Sequence, residues 1–329
     1  MRRSDPRIPL LSLLLLLTAA ASLLLGRYPA PGLISIGGLL RDPLAGRLVL
    51  MLRLPRILAG ILLGASLAAA GTVFQMIFAN PLVEPGFLGV SQGAAFGAAL
   101  CIVAFSASPA VVQAVALVFA LAGLALSWLL ARAFRFGGWI LRLVLAGIAV
   151  SALFAAGIGA LKLAADPVRQ LPEITFWLLG GLWSVTWRSL LFLLPPVGAG
   201  LAVVALLRWK LNVLSLDDRV AHSLGTAPER ERLLLLLAAT MATAAVVSVS
   251  GLVGWIGLMV PHAARRLVGT DARRALPAGM LMGALSILVC DDIARTVLPA
   301  EIPLGILTSL VGAVVFILLM GTAGKRRGA

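Results

Sequence analysis

No stretch constrains this chain more than residues 233–264, an apolar run without a Lys, Arg, Asp or Glu, broken at Ser250-Gly251 and at Pro261-His262. Built as one straight helix it would reach about 48 Å, well beyond the roughly 30 Å of a hydrocarbon core. Both flanks are basic: Arg230 and Arg232 precede the run, and Arg265, Arg266, Arg273 and Arg274 follow it. Basic loops favour the cytoplasmic face, so both flanks belong on one side. The run is therefore expected to cross, turn back near Ser250-Gly251, and return as a shorter span interrupted by Gly and Pro. Transporters use broken spans of this kind where backbone lines a path.

The remaining sequence follows the same logic. Of 329 residues, 61% are hydrophobic and 12% charged, and the mean hydropathy is +1.07. These values exclude a soluble domain and point to an all-α polytopic membrane protein, with residues 1–329 as a single transmembrane domain. Ile8–Leu25 follows Arg2, Arg3 and Arg7; it is long for a signal-peptide core, lacks a small-x-small cleavage site, and is read as a retained first helix. Ten spans are predicted: 8–26, 56–78, 88–106, 110–131, 141–164, 189–207, the broken pair, 277–297 and 304–321. A loop with Pro29 and Pro31 and a short piece at 174–182 fall outside, and a polar loop at 212–232 falls inside. An even number of crossings places both termini in the cytoplasm. The net charge of +14 sits mostly in inner loops, where it sets topology and does not mark nucleic-acid binding. Cys101 and Cys290 lie within apolar spans as packing residues, and no metal site or disulfide is indicated. Small residues recur at four-residue spacing at Gly60, Gly64, Ala68 and Thr72, at Gly279 and Gly283, and at Gly305, Ser309 and Ala313. Such stripes let helices approach closely in lipid.

Some arginines break the inner-loop pattern. Arg47, Arg53, Arg56 and Arg295 fall at the outer ends of spans two and nine, and Arg169 and Arg188 near the outer ends of spans five and six. They would either reach headgroups or form a basic face for an acidic partner. In the inner loop, Leu214, Leu216, Val220 and Leu224 fit one face of a short helix, with Asp217, Asp218 and Arg219 off it and Gly225 as its stop. An amphipathic helix there suits a groove on a partner protein. Polar residues within spans are Gln75, Ser91, Gln92, Lys162 and His262. Gln75 and Gln92 flank the Asn80–Gly86 break and are candidates for a path. His262 is read as a satisfied structural histidine. Gly321-Thr-Ala-Gly324-Lys325 is too short for a phosphate loop, so any ATP hydrolysis belongs to another chain. An intramembrane enzyme would need converging catalytic groups, and only Asp291, Asp292 and His262 come near. An ion-coupled secondary transporter would want carboxylates at mid-span, whereas Asp291 and Asp292 sit near a helix end.

Two sets of residues carry a resemblance over nearly the whole chain. Arg53-Leu-Pro-Arg56, Gly64-Ala65, Gln75, Asn80-Pro81-Leu82, Pro85 and Leu88-Gly89-Val-Ser91 form the first. Gly257-Leu-Met-Val-Pro261-His262, Arg265, Gly269-Thr-Asp271, Asp292-Ile-Ala-Arg295 and Glu301-Ile-Pro303-Leu-Gly305 form the second. In order and spacing they resemble the iron-chelate and vitamin B12 uptake permeases, the membrane subunits of type II ABC importers. The resemblance implies a homodimer of ten-helix subunits in a bacterial inner membrane, with its path on the two-fold axis. It also implies two cytoplasmic ATP-binding cassette subunits, which carry ATP and Mg while this chain binds no cofactor, and a periplasmic or lipid-anchored substrate-binding protein. Arg53, Arg56 and Arg295 would meet acidic residues of that protein. Leu216, Asp217, Asp218, Arg219, Leu224 and Gly225 would couple to the ATPase, and Gln75, Asn80, Pro81, Ser91 and Gln92 would line the path. The cargo would be a ferric siderophore, haem or cobalamin, or molybdate or tungstate in some branches. Ala79, Trp255 and Ala272 depart from the usual residues of the two signatures.

Overall fold

Among the described residues, seven helices are long and apolar enough to cross a membrane. The computed structural model describes residues 5–28, 32–105 and 108–325. Arg2, Arg3, Pro29, Pro31, Arg326 and Arg327, which figure in the predicted basic flanks and outer loop, lie outside them. In chain order the helices are α1 (Arg7–Leu24), α2 (Ile36–Arg41), α3 (Pro43–Leu48), α4 (Leu54–Ile77), α5 (Val90–Phe105), α6 (Pro109–Ala133) and α7 (Trp139–Ala164). They continue as α8 (Gln170–Leu179), α9 (Trp187–Leu214), α10 (Asp218–Ser223), α11 (Pro228–Ser250), α12 (Ile256–Val268), α13 (Ala272–Thr296) and α14 (Leu304–Lys325). The seven long spans are α1, α3–α4 taken together, α6, α7, α9, α11 and α13. The apolar helices α5 and α14, with the short α12, complete the ten predicted crossings.

Burial decides which helices form the centre. The most apolar window of α3–α4 is 83% buried and that of α11 is 78% buried, against 11% for α1 and 28% for α9. A helix covered all round needs no polar face, and α4 has none between Leu58 and Ser66. It packs against α13, α11, α12 and α9, while α5, α6 and α7 form an adjoining group. The small-residue stripes of α4 and α13 prove to be the two halves of one seam. A Cβ added at Gly64 would lie 2.1 Å from the Gly283 carbonyl oxygen, and one at Gly283 would lie 2.8 Å from Ala68 Cβ. Backbone meets backbone there, as lipid-phase packing favours.

The predicted fold-back is present. Asn212 Nδ2 donates to Asp271 Oδ1 at 2.8 Å, and the Ala272 N–H donates to Asn212 Oδ1 at 2.9 Å. Arg232 reaches the Leu214 carbonyl at 2.8 Å. The end of α9 and the starts of α11 and α13 therefore share one end of the bundle. The return leg is part helix and part extended chain. Residues 251–255 are non-helical, and α12, with 13 residues, covers about 20 Å. Backbone groups freed at the breaks satisfy one another: Gly181 N donates to Ser250 O at 2.7 Å and Leu304 N to Gly180 O at 2.8 Å.

Two predicted boundaries move. Span two starts not near Arg56 but at Pro43, because α3 runs through a π-helical turn at Val49–Arg53 into α4. Span six continues past Leu207 to Leu214. In both places a helix extends through charged residues.

Candidate functional site

At the end of the bundle predicted to face outward, four arginines and three carboxylates converge from the end of α1, the start of α4, α13 and the α13–α14 connection. Arg56 donates to both Asp291 oxygens, its closest contact 2.8 Å, and to Glu301 Oε1 at 2.9 Å. Arg295 pairs with Asp292 and also donates to the carbonyls of Ser22 at 2.6 Å and Leu25 at 2.9 Å. Ser22 closes the set by donating to Asp292 Oδ2 at 2.6 Å. Arg53 donates to Leu23 O at 2.9 Å and lies against Gly26, where a Cβ would collide with its guanidinium. Arg53, Arg56 and Arg295 line a cavity of about 290 Å³ together with Arg27, Tyr28, Trp183 and Glu301. So the three predicted docking arginines do come together. Arg56 and Arg295 spend their donors inside the chain, with side chains 12% and 8% exposed, while Arg53 is half-buried. Arg41, Arg47, Arg169 and Arg188 are exposed. Sequence reading missed the internal partners Asp291 and Glu301; their position a few residues from Arg295 was the available signal.

At the opposite end, predicted to face the cytoplasm, Asp217 caps α10 by accepting from Arg219 N, and Asp218 is held by Arg232 at 2.6 Å. Gly225 has φ +78 and its N–H donates to His222 O, while Thr226 N donates to Ala221 O at 3.3 Å. That is the paired bonding of a Schellman stop. Leu216, Val220 and Leu224 are 46%, 46% and 59% exposed, whereas Ala221 is buried. Leu214 departs from the predicted apolar face: it ends α9 and is buried.

Of the pathway candidates, Gln75 clamps α4 to α12. Its Nε2 donates to Leu258 O at 2.9 Å and its Oε1 accepts from Arg265. Asn80 Oδ1 accepts from Leu82 N at 2.9 Å, and Asn80, Pro81 and Leu82 are exposed. Ser91 and Gln92 line a different cavity, of about 190 Å³, with Glu84, Thr243 and residues 252–254. Gln75 does not line it. His262 is not satisfied as expected, since its Nε2 is buried without a partner. No cluster of His, Cys, Asp and Glu suited to a metal ion occurs among the described residues.

Known proteins match the chain over most of its length. The model of the FecCD transport family matches residues 13–322. The chain belongs to the FecCD family. The molybdate import system permease MolB of Haemophilus influenzae is 39% identical over 93% of this chain and 92% of its own. The hemin transport system permease HmuU of Yersinia pestis is 42% identical over 82% of each. A solved structure of a metal-chelate type ABC transporter in an inward-facing conformation covers 97% of this chain and all of its own, with TM-score 0.89 and 38% identity. This FecCD member is thus a multi-pass membrane permease with the type II ABC importer fold, a transport subunit and not an enzyme.

Proposed function

We propose that the chain forms a homodimer that carries a metal chelate, namely a ferric siderophore, haem or cobalamin, across a bacterial inner membrane by alternating access. Both termini face the cytoplasm. Two ATP-binding cassette subunits hold ATP and Mg and dock on the α10 turn. A periplasmic or lipid-anchored binding protein delivers cargo to the arginine end, and the chain itself binds membrane lipid but no cofactor or nucleic acid. The observation that carries this reading is the family match across residues 13–322, joined to an exposed apolar trio, Leu216, Val220 and Leu224, on a turn locked to α11 by Arg232. Exposed leucines on a rigid, capped turn fit a groove on a soluble partner.

The experiment is cargo uptake in proteoliposomes containing the permease, its ATPase and its binding protein. Uptake should require ATP, should fall with Arg53→Glu, and should be uncoupled from ATP hydrolysis by Leu216→Ser. Uptake without ATP would discard the reading. Molybdate or tungstate is the second cargo class, favoured by MolB and its near full-length match; competition between labelled molybdate and labelled hemin separates the two.

A further inference from the structure

At the end of the bundle predicted to face the cytoplasm, three exposed arginines from three elements border one recess. Arg7 opens α1, Arg266 lies in the last turn of α12, and Arg274 lies in the first turn of α13. They line an open hollow of about 580 Å³. Asp5 is the one carboxylate among its described lining residues, so two positive charges are in surplus there. Asp5 Oδ1 accepts from Arg7 N at 3.1 Å, and the carboxylate lies 4.0 Å from Arg274, at the edge of ion-pair distance. The Arg274 side chain is 47% exposed. Main-chain carbonyls hold the other two arginines at the rim: Arg7 donates to Leu267 O and Arg266 to Leu319 O.

Next to this recess α1 carries an uncovered apolar face. Arg7, Leu10, Leu14 and Leu17 follow one another at three- and four-residue steps, which stacks them on one side of the helix. Leu10, Leu14 and Leu17 are 56%, 43% and 58% exposed. Another side of α1 is taken up within the molecule: Leu11 packs on the small cluster of Ala264, Val268, Ala275 and Ala278 from α12 and α13. A basic recess at the head of an apolar helix face matches the two parts of an anionic phospholipid, a phosphodiester and then acyl chains. Arginine suits the first part, because its planar fork offers a phosphate two parallel N–H groups.

We propose that this recess binds an anionic glycerophospholipid, its phosphodiester on Arg7, Arg266 and Arg274 and its acyl chains along Leu10, Leu14 and Leu17. Basic pockets between spans on the cytoplasmic side are where membrane proteins hold such headgroups. The surplus charge selects the lipid class. A choline headgroup carries a cation beside its phosphate, which the arginines would repel, whereas a glycerol headgroup adds none. The proposal gives a place and a chemistry to the lipid contact included in the function above, and it rests on α1 being a span. The family match begins at residue 13, so the wall of the recess formed by Asp5 and Arg7 lies outside it.

The test is native mass spectrometry of the purified full-length permease in detergent. It is titrated with dioleoyl phosphatidylglycerol, with dioleoyl phosphatidylcholine, and with glycerol 3-phosphate as a headgroup without chains. Phosphatidylglycerol should bind about tenfold more tightly than phosphatidylcholine, and glycerol 3-phosphate at equal concentration should not displace it. Arg7→Gln and Arg274→Gln should each weaken phosphatidylglycerol binding about fivefold and leave phosphatidylcholine binding unchanged. Asp5→Asn keeps an oxygen for the Arg7 N–H and removes the competing charge, so it should tighten phosphatidylglycerol binding, a gain that misfolding cannot produce. Equal affinity for the two lipids overturns the proposal. So does displacement by glycerol 3-phosphate, the mark of a plain phosphate site, and so does phosphatidylglycerol binding that none of the three substitutions alters. Neither ATP nor cargo enters this assay, so its failure leaves the transport reading standing, and failed uptake leaves the lipid result standing.

Discussion

Ala79 and Trp255 are the two non-glycine residues with positive φ among the described residues. At Ala79 the reason for the conformation is plain. Asn80 N donates to Gln75 O and Ala79 N to Met76 O, so α4 ends in a Schellman stop with Ala at the left-handed position that glycine occupies most easily. Ala79→Gly should raise thermal stability by about 1 kcal/mol, read as a higher melting temperature in detergent. Gly225→Val should lower it, since Gly225 holds φ +78 at the α10 stop. The two stops differed in legibility. Gly225 announces itself, because a glycine after a short apolar pattern signals a helix end. Ala79 does not, because the strain comes from the Pro81 break and the α4–α12 packing, which a one-residue reading cannot see.

Among the elements, α4 and α13 carry the largest commitment. Gly64→Leu would drive a side chain into the Gly283 backbone, where nothing flexible can yield. Loss of more than about 3 kcal/mol and failure to recover folded protein are expected, measured by size-exclusion yield and melting. The Arg56–Asp291 pair joins the same helices. Asp291→Ala should cost about 3–5 kcal/mol by leaving Arg56 buried beside Arg295, and the double variant Arg56→Met, Asp291→Leu should recover much of it. A urea titration of all three proteins would measure the coupling. The start of α13 adds a pH dependence. The Arg273 N–H and then the Asn212 amide hold the Asp271 carboxyl below the ordinary aspartate range. A lowered value means the cap contributes stability above the unfolded-state value and loses it as pH falls through the folded one. Melting should therefore drop below about pH 4, and less so in Asp271→Asn. Span centres were legible in hydropathy, since 233–264 could not fit as one crossing. Helix ends were not. Arg47, Arg53, Arg208 and Lys210 stopped the predicted spans, although hydropathy marks the bilayer edge, and α3–α4 and α9 continue past it as helix.

For the molecule as a whole, the fold-back assigns ends. Cysteines placed at Arg230 and Arg273 should react with an impermeant reagent from one compartment only, and the same one, in oriented vesicles; reaction from opposite sides would dismantle the arrangement. The resemblance named the family correctly because its motifs fall at the breaks and seams that the fold cannot do without. It could not reveal that Arg56 and Arg295 already have intrachain acids. Within this chain, therefore, the same arginines fasten α1, α4 and α13, whatever they contact outside.

The non-helical descent at residues 251–255 has a mechanical consequence. Adding or deleting a residue within a helix turns everything beyond it by about 100°. A non-helical stretch carries no such fixed rotation per residue from one helix to the next. Between Gly251 and Trp255, the facing of α12 against α4 is therefore set by the positive-φ turns at the two ends of the stretch, and not by helical register inherited from α11.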